Sequence, residues 1–133
     1  MNPLPDMNWL LDNLVSYPHA VNAVVLSADG LSRHRSKGVD DALADRVAAL
    51  SSGLASLAKS GARFVTSSPT PYELTMIRYG DGYLFIIAAG QGSFLVASAT
   101  IEVDVSVFTD RMTHVVGQMH TELGVSARQA GQG

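Results

Sequence analysis

Four histidines, His19, His34, His114 and His120, are the side chains in this sequence best suited to moving a proton or binding a metal. His114 and His120 stand six residues apart, about two-thirds of a turn off a common helical face, which is poor ligand spacing. No cysteine is present, which excludes disulfides, thiolate zinc sites and cysteine nucleophiles. No GxxxxGK[ST] stretch occurs, so no P-loop can cradle a nucleotide, and GQG at Gly90 to Gly92 reads as a hairpin turn. Ser67 and Ser68 beside a proline loop, with His and Asp only at a distance, make no triad signal. Met76, Met112 and Met119 suit gaps in a core better than a soft ligand set. Arg33, His34, Arg35 and Lys37 form the one basic cluster, able to meet an acidic partner or a phosphate. A solvated, charge-guarded strand edge is the favoured alternative. No catalytic residue, cofactor or metal is therefore expected.

The elements that hold these residues follow from hydrophobic pattern. YLFIIAAG and SFLVASA, between Tyr83 and Ala99, are apolar at nearly every position, and Ala20 to Ala28 has the same character. Such strands need cover on both faces, as in a sheet between helical layers. LSRHRS, after a turn at Asp29 and Gly30, is polar and belongs at an edge. YELTMIRY, Tyr72 to Tyr79, is mixed and belongs at the other edge, followed by a turn at Gly80, Asp81 and Gly82. Asp6 is placed to cap a first helix carrying Leu10, Leu11, Leu14 and Val15. Asp104 is placed to cap a last one carrying Val105, Phe108, Met112, Val115, Met119 and Leu123, closed by Gly124. The expected architecture is an α+β sandwich: a five-stranded antiparallel sheet in the order 2-1-5-4-3, one long helix on one face and the terminal helices on the other. A single domain over residues 1–124 is expected, with 125–133 a disordered tail.

The long helix opens after Gly38. Leu43, Val47, Leu50, Leu54 and Leu57 recur at i, i+4, i+7, i+11 and i+14, with Gly61 and Phe64 on the same line, and this stripe is expected to face the sheet. The other face reads Asp41, Asp45, Ala48, Ser52, Ala55, Lys59 and Arg63, with no charge anywhere between Val47 and Ala58. Acids at the start and bases at the end suit the helix dipole, but the small uncharged centre suits close approach of a second helix. An antiparallel homodimer seam is expected there, with Asp41 facing Arg63, Asp45 facing Lys59, and Ala48 and Ala55 near the middle. The weakly protected strand that carries Leu74 and Met76 is expected to add its edge to the same interface.

At 133 residues, 47% hydrophobic and a net charge of −3, the chain has enough apolar residues for one sizeable core and too little positive charge for an electrostatic nucleic-acid binder. The N-terminal stretch lacks a basic signal-like start, and nothing approaches the roughly 18 continuous apolar residues of a membrane span, so a soluble cytoplasmic protein is expected.

The Ala/Ser/Leu helix, the segment YELTMIRYGDGYLFIIAAGQGSFLVASA and the amphipathic helix after it resemble the roadblock/dynein light chain superfamily. The chain is particularly similar to a bacterial branch encoded in conservon-type operons beside a Ras-like GTPase and a sensor-kinase-like protein. The resemblance runs from about Met7 to Leu123 and rests on strands and glycine turns, not on a catalytic signature. It implies a fold shared with longin and profilin-like domains and a homodimer that binds and regulates a Ras-like small GTPase. It further implies a sensor-kinase-like partner and recruitment to the membrane through a partner. Arg33, Arg35 and Arg63 are equal candidates for a residue acting on the GTPase. A PAS-like small-molecule sensor is the alternative, though small-residue packing argues against the pocket it needs; an enzyme ranks third.

Overall fold

The computed structural model describes residues 8–27, 32–90 and 92–131; Asp6, the Asp29–Gly30 turn, Gln91 and the side chains of Arg33 and Leu123 lie outside what it describes. In chain order the elements are α1 (Asn8–Val15), β1 (Ala20–Leu26), β2 (Ser32–Arg35), α2 (Asp41–Ser60), α3 (Ala62–Val65), β3 (Leu74–Arg78), β4 (Gly82–Ala88), β5 (Phe94–Thr100) and α4 (Val105–Gly131). The sheet order is β2-β1-β5-β4-β3, with every neighbouring pair antiparallel, which is the order expected from strand burial.

Register sorts the side chains into two cores. Val24, Val96 and Ile86 lie in one cross-strand row on the α2 face, while Ala23, Ala97 and Phe85 lie in a row on the opposite face. The second face packs on Leu10, Leu11 and Leu14 of α1 and on Phe108, Met112 and Met119 of α4. Phe85 and Phe108 meet there with ring centroids 5.4 Å apart. Each large apolar side chain so buried is worth about 1.5–3 kcal/mol.

Edges and ends are fixed by polar side chains. The N–H of Ala23 donates to Ser36 Oγ at 2.9 Å, and the N–H of Ser36 donates to the Ala23 carbonyl at 2.8 Å, so a buried serine finishes the β1–β2 ladder. The amides of Arg35 and Lys37 donate to Asn8 Oδ1 and Asp12 Oδ1 of α1. Thus α1 covers this edge, in addition to its charges. Asp40 caps α2 by accepting from the Leu43 amide at 2.8 Å, and Asp104 caps α4 by accepting from Val107 at 3.1 Å. Gly82 is required because a Cβ there would strike the Ala99 carbonyl across the β4–β5 pair.

Two expectations are corrected. Gly124 does not close the last helix: α4 runs on to Gly131, since Ala, Arg and Gln beyond it favour helix and one internal glycine costs only about 1 kcal/mol. More consequentially, α2 is rotated from its expected setting. Its sheet-facing residues are Ala44, Ala48, Ser51 and Ala55, with Ala48 only 3% and Ala55 only 1% exposed. The backbone that approaches these small residues is that of the chain's own sheet. Val24, Leu26, Ile86, Phe94 and Val96 fill the space between sheet and helix, leaving room on the helix for little more than a methyl group.

Candidate protein-interaction surface

With its small residues turned inward, α2 presents its leucines along one flank. Leu43, Leu50 and Leu57 are exposed, Leu57 to 72%, while Val47 and Leu54 between them are half-buried against the sheet. The chain passes through Gly61 in right-handed conformation (φ −78, ψ −9) into α3, so Phe64 continues the line and stands 97% exposed. The spacing 43, 47, 50, 54, 57, 61, 64 alternates four and three without drift. That is the period of a helix–helix seam; an ordinary sheet-facing stripe is broader and follows 3.6. This is the signal in the sequence for Leu50, Leu57 and Phe64, which a sheet-facing stripe would place in the interior.

The sheet beneath has space beside α2. Five strands spaced by about 4.8 Å present a face roughly twice the width of one helix. The opposite face carries both α1 and α4, whereas this one carries α2. Asn22, Ser98, Leu84 and Ile77 form a cross-strand row on the α2 side, all only half-buried. Between Asn22, Ser98 and Leu84 of that row and Leu43 and Val47 of the helix lies a hollow of about 190 Å³, lined further by Val24 and Val96. The expectation that small-residue packing would leave no such space is therefore corrected.

The predicted interface residues separate into groups. Ala48 and Ala55 are interior and cannot form a seam with another chain. Asp41 is bonded to Arg35 Nη2 of its own chain at 2.5 Å, and Lys59 Nζ lies 5.8 Å from the centroid of Phe94. Asp45 and Arg63 are exposed and Ser52 is half-buried. Leu74 and Met76 are 46% and 48% exposed on β3, the last strand of the sheet. Their cross-strand partners Ile87 and Phe85 belong to the α1/α4 core, so they lie on the face opposite α2. Of the weak partner-binding set, Arg35 is tied to Asp41, Lys37 is exposed, and Arg33 has no described side chain. Among the described residues no group of His, Asp and Glu could hold a metal, and no helix is long and apolar enough to cross a membrane.

A five-stranded antiparallel sheet in this order, with one long helix on one face and two terminal helices on the other, defines an α/β sandwich of the roadblock, longin and profilin kind. The chain belongs to the Roadblock/LC7 domain family, whose model matches residues 7–99. It is similar to a Roadblock/LC7 domain from Streptomyces avermitilis at 36% identity and a TM-score of 0.80, covering 90% of this chain and 98% of that one. It shares its fold with MglB of Myxococcus xanthus at 11% identity and a TM-score of 0.81, covering 93% and 99%. Profilin Ia of Acanthamoeba castellanii is more distant, at 15% identity and a TM-score of 0.52 over 84% and 94%. A comparison with curated proteins gives no match.

Proposed function

We propose that this chain is a non-enzymatic homodimeric adaptor that binds and regulates a Ras-like small GTPase in a bacterial signalling system. The observation that carries the reading is the seam-period flank of α2, left exposed beside a half-covered sheet face. A second copy supplies the same flank by symmetry, and a two-fold interface requires a patch that is its own complement. The edge of β3, the last strand of the sheet, borders the same face through Ile77 and extends the surface. The GTPase assignment draws on membership of the roadblock family, and two copies side by side make a platform on which one GTPase can touch both chains.

Light scattering tests the first half: a monomer at micromolar concentration overturns the dimer. Pulldown of a purified Ras-like GTPase from the same organism, loaded with GDP or GTP, tests the second. Switch segments order around the γ-phosphate, so a regulator should bind the two states with affinities differing about 5- to 150-fold. Equal binding with unchanged hydrolysis and exchange rates indicates a tether, and no binding removes the assignment. The chain alone, lacking a P-loop, should give no saturable heat with GTP and Mg²⁺ in calorimetry. A small-molecule sensor has the hollow beside Leu43 in its favour. Only Asn22 and Ser98 offer side-chain polar groups in its lining, few for orienting a ligand.

A further inference from the structure

Phe64 and the hollow are the two surface features that the chain itself leaves unexplained. Phenylalanine is among the residues most often buried, and one almost wholly exposed on the short helix α3 marks a contact surface. The hollow is nearly all aliphatic, and an apolar cavity of about 150 Å³ accepts benzene. A space of about 190 Å³ thus matches a phenyl ring. Phe64 cannot reach it within one chain, because it lies three heptads along the seam from Leu43, at the far end of the helical path.

Resting on the homodimer proposed above, we infer that Phe64 of each copy inserts into the hollow of the other, beside Leu43 and Val47 and over Asn22 and Ser98. An antiparallel pair with its two-fold near Gly53 sets Leu50 against Leu57 and Leu43 against Phe64 in the same register. Gly53 has open space where a Cβ would stand, which suits close approach of the helices at the axis. The same register matches the exposed apolar residues of the flank, Leu43, Leu50, Leu57 and Phe64, with one another, so apolar matching selects the alignment. The two copies would then complete each other's sheet faces, with Phe64 as the anchor.

Two measurements test this in the naturally cysteine-free chain. Phe64→Ala should raise the dimer dissociation constant about tenfold or more in sedimentation equilibrium while leaving the far-ultraviolet spectrum intact, because the side chain touches little in its own chain. Mixing an F64C chain with an S98C chain should give a mixed cross-link with a short bis-maleimide, whereas S56C paired with S98C should not. A dimer that F64A does not weaken, or one that F64A weakens without the F64C–S98C cross-link, overturns the insertion while the homodimer stands. A monomeric parent overturns both.

Discussion

Arg35 Nη2 and Asp41 Oδ1 lie 2.5 Å apart, joining the last residue of β2 to the first turn of α2. Sequence alone points both outward, Arg35 to an acidic partner and Asp41 to a dimer seam. They satisfy each other instead. Both side chains are substantially exposed, so Asp41→Asn should cost no more than about 1 kcal/mol in urea unfolding. It should also leave the dimer dissociation constant within about twofold, since the seam residues are on a different flank. A larger effect on dimerisation would place Asp41 in the interface.

The rotated setting of α2 gives a sharper prediction. Ala48→Leu forces a larger side chain between helix and sheet and should destabilise the fold by about 1–3 kcal/mol, seen as a lower urea midpoint. Leu50→Ser, on the exposed flank, should change the stability of the isolated protomer by no more than about 0.5 kcal/mol. The opposite ranking would restore a sheet-facing leucine stripe.

That setting is also where the sequence was hardest to read. β1, β4 and β5 were legible because Val24, Val25, Phe85, Ile86, Leu95 and Val96 are apolar on both faces, and the polar SRHR and mixed LTMIR strands could only be edges. On α2 the leucine and alanine stripes both follow helical spacing, so periodicity alone cannot rank them. The choice was made by Phe94, Val96 and Ile86 on the sheet, whose bulk admits Ala48 and Ala55 but not a row of leucines. The strict four-three spacing from Leu43 to Phe64 was the one feature that set the leucine stripe apart from an ordinary sheet-facing one. The hollow was not legible, since it depends on how much of the sheet one helix fails to cover.

The two buried serines should respond with opposite signs. Ser36 Oγ accepts from the Ala23 amide, so Ser36→Ala leaves a buried donor unpaired and should cost about 1–3 kcal/mol. Ser51 is fully buried on the sheet side of α2, and its hydroxyl has no hydrogen-bond partner among the described residues. Ser51→Ala removes an unsatisfied polar group and improves helix propensity, so it should be neutral or stabilising by up to about 1 kcal/mol. Thermal melts of the two variants check the signs.

Glycine positions separate backbone need from tolerance. A Cβ at Gly82 would meet the Ala99 carbonyl at the start of the β4–β5 ladder, so Gly82→Ala must push β4 from β5 there and should destabilise by more than about 1 kcal/mol. Gly117 lies within α4 with open space where its Cβ would stand. Gly117→Ala should therefore stabilise by about 0.5–1 kcal/mol. Chemical denaturation of both, with equal m-values, would report the two shifts in midpoint as changes in stability.

Charge placed on the α2 flank should divide assembly from folding. Leu57 is 72% exposed in the single chain, so Leu57→Glu removes few internal contacts and its charge stays hydrated in the monomer. In a paired seam the same carboxylate would be desolvated opposite Leu50 of the other copy, with no cation directly across. The variant should therefore elute and scatter light as a folded monomer, with circular dichroism unchanged. Its melting temperature should lose the protein-concentration dependence of the dimeric parent. Leu57→Lys should behave alike, because desolvation acts on either sign. A charge swap that disrupts with one sign and not the other would point to a polar surface across from Leu57 in place of a second leucine seam.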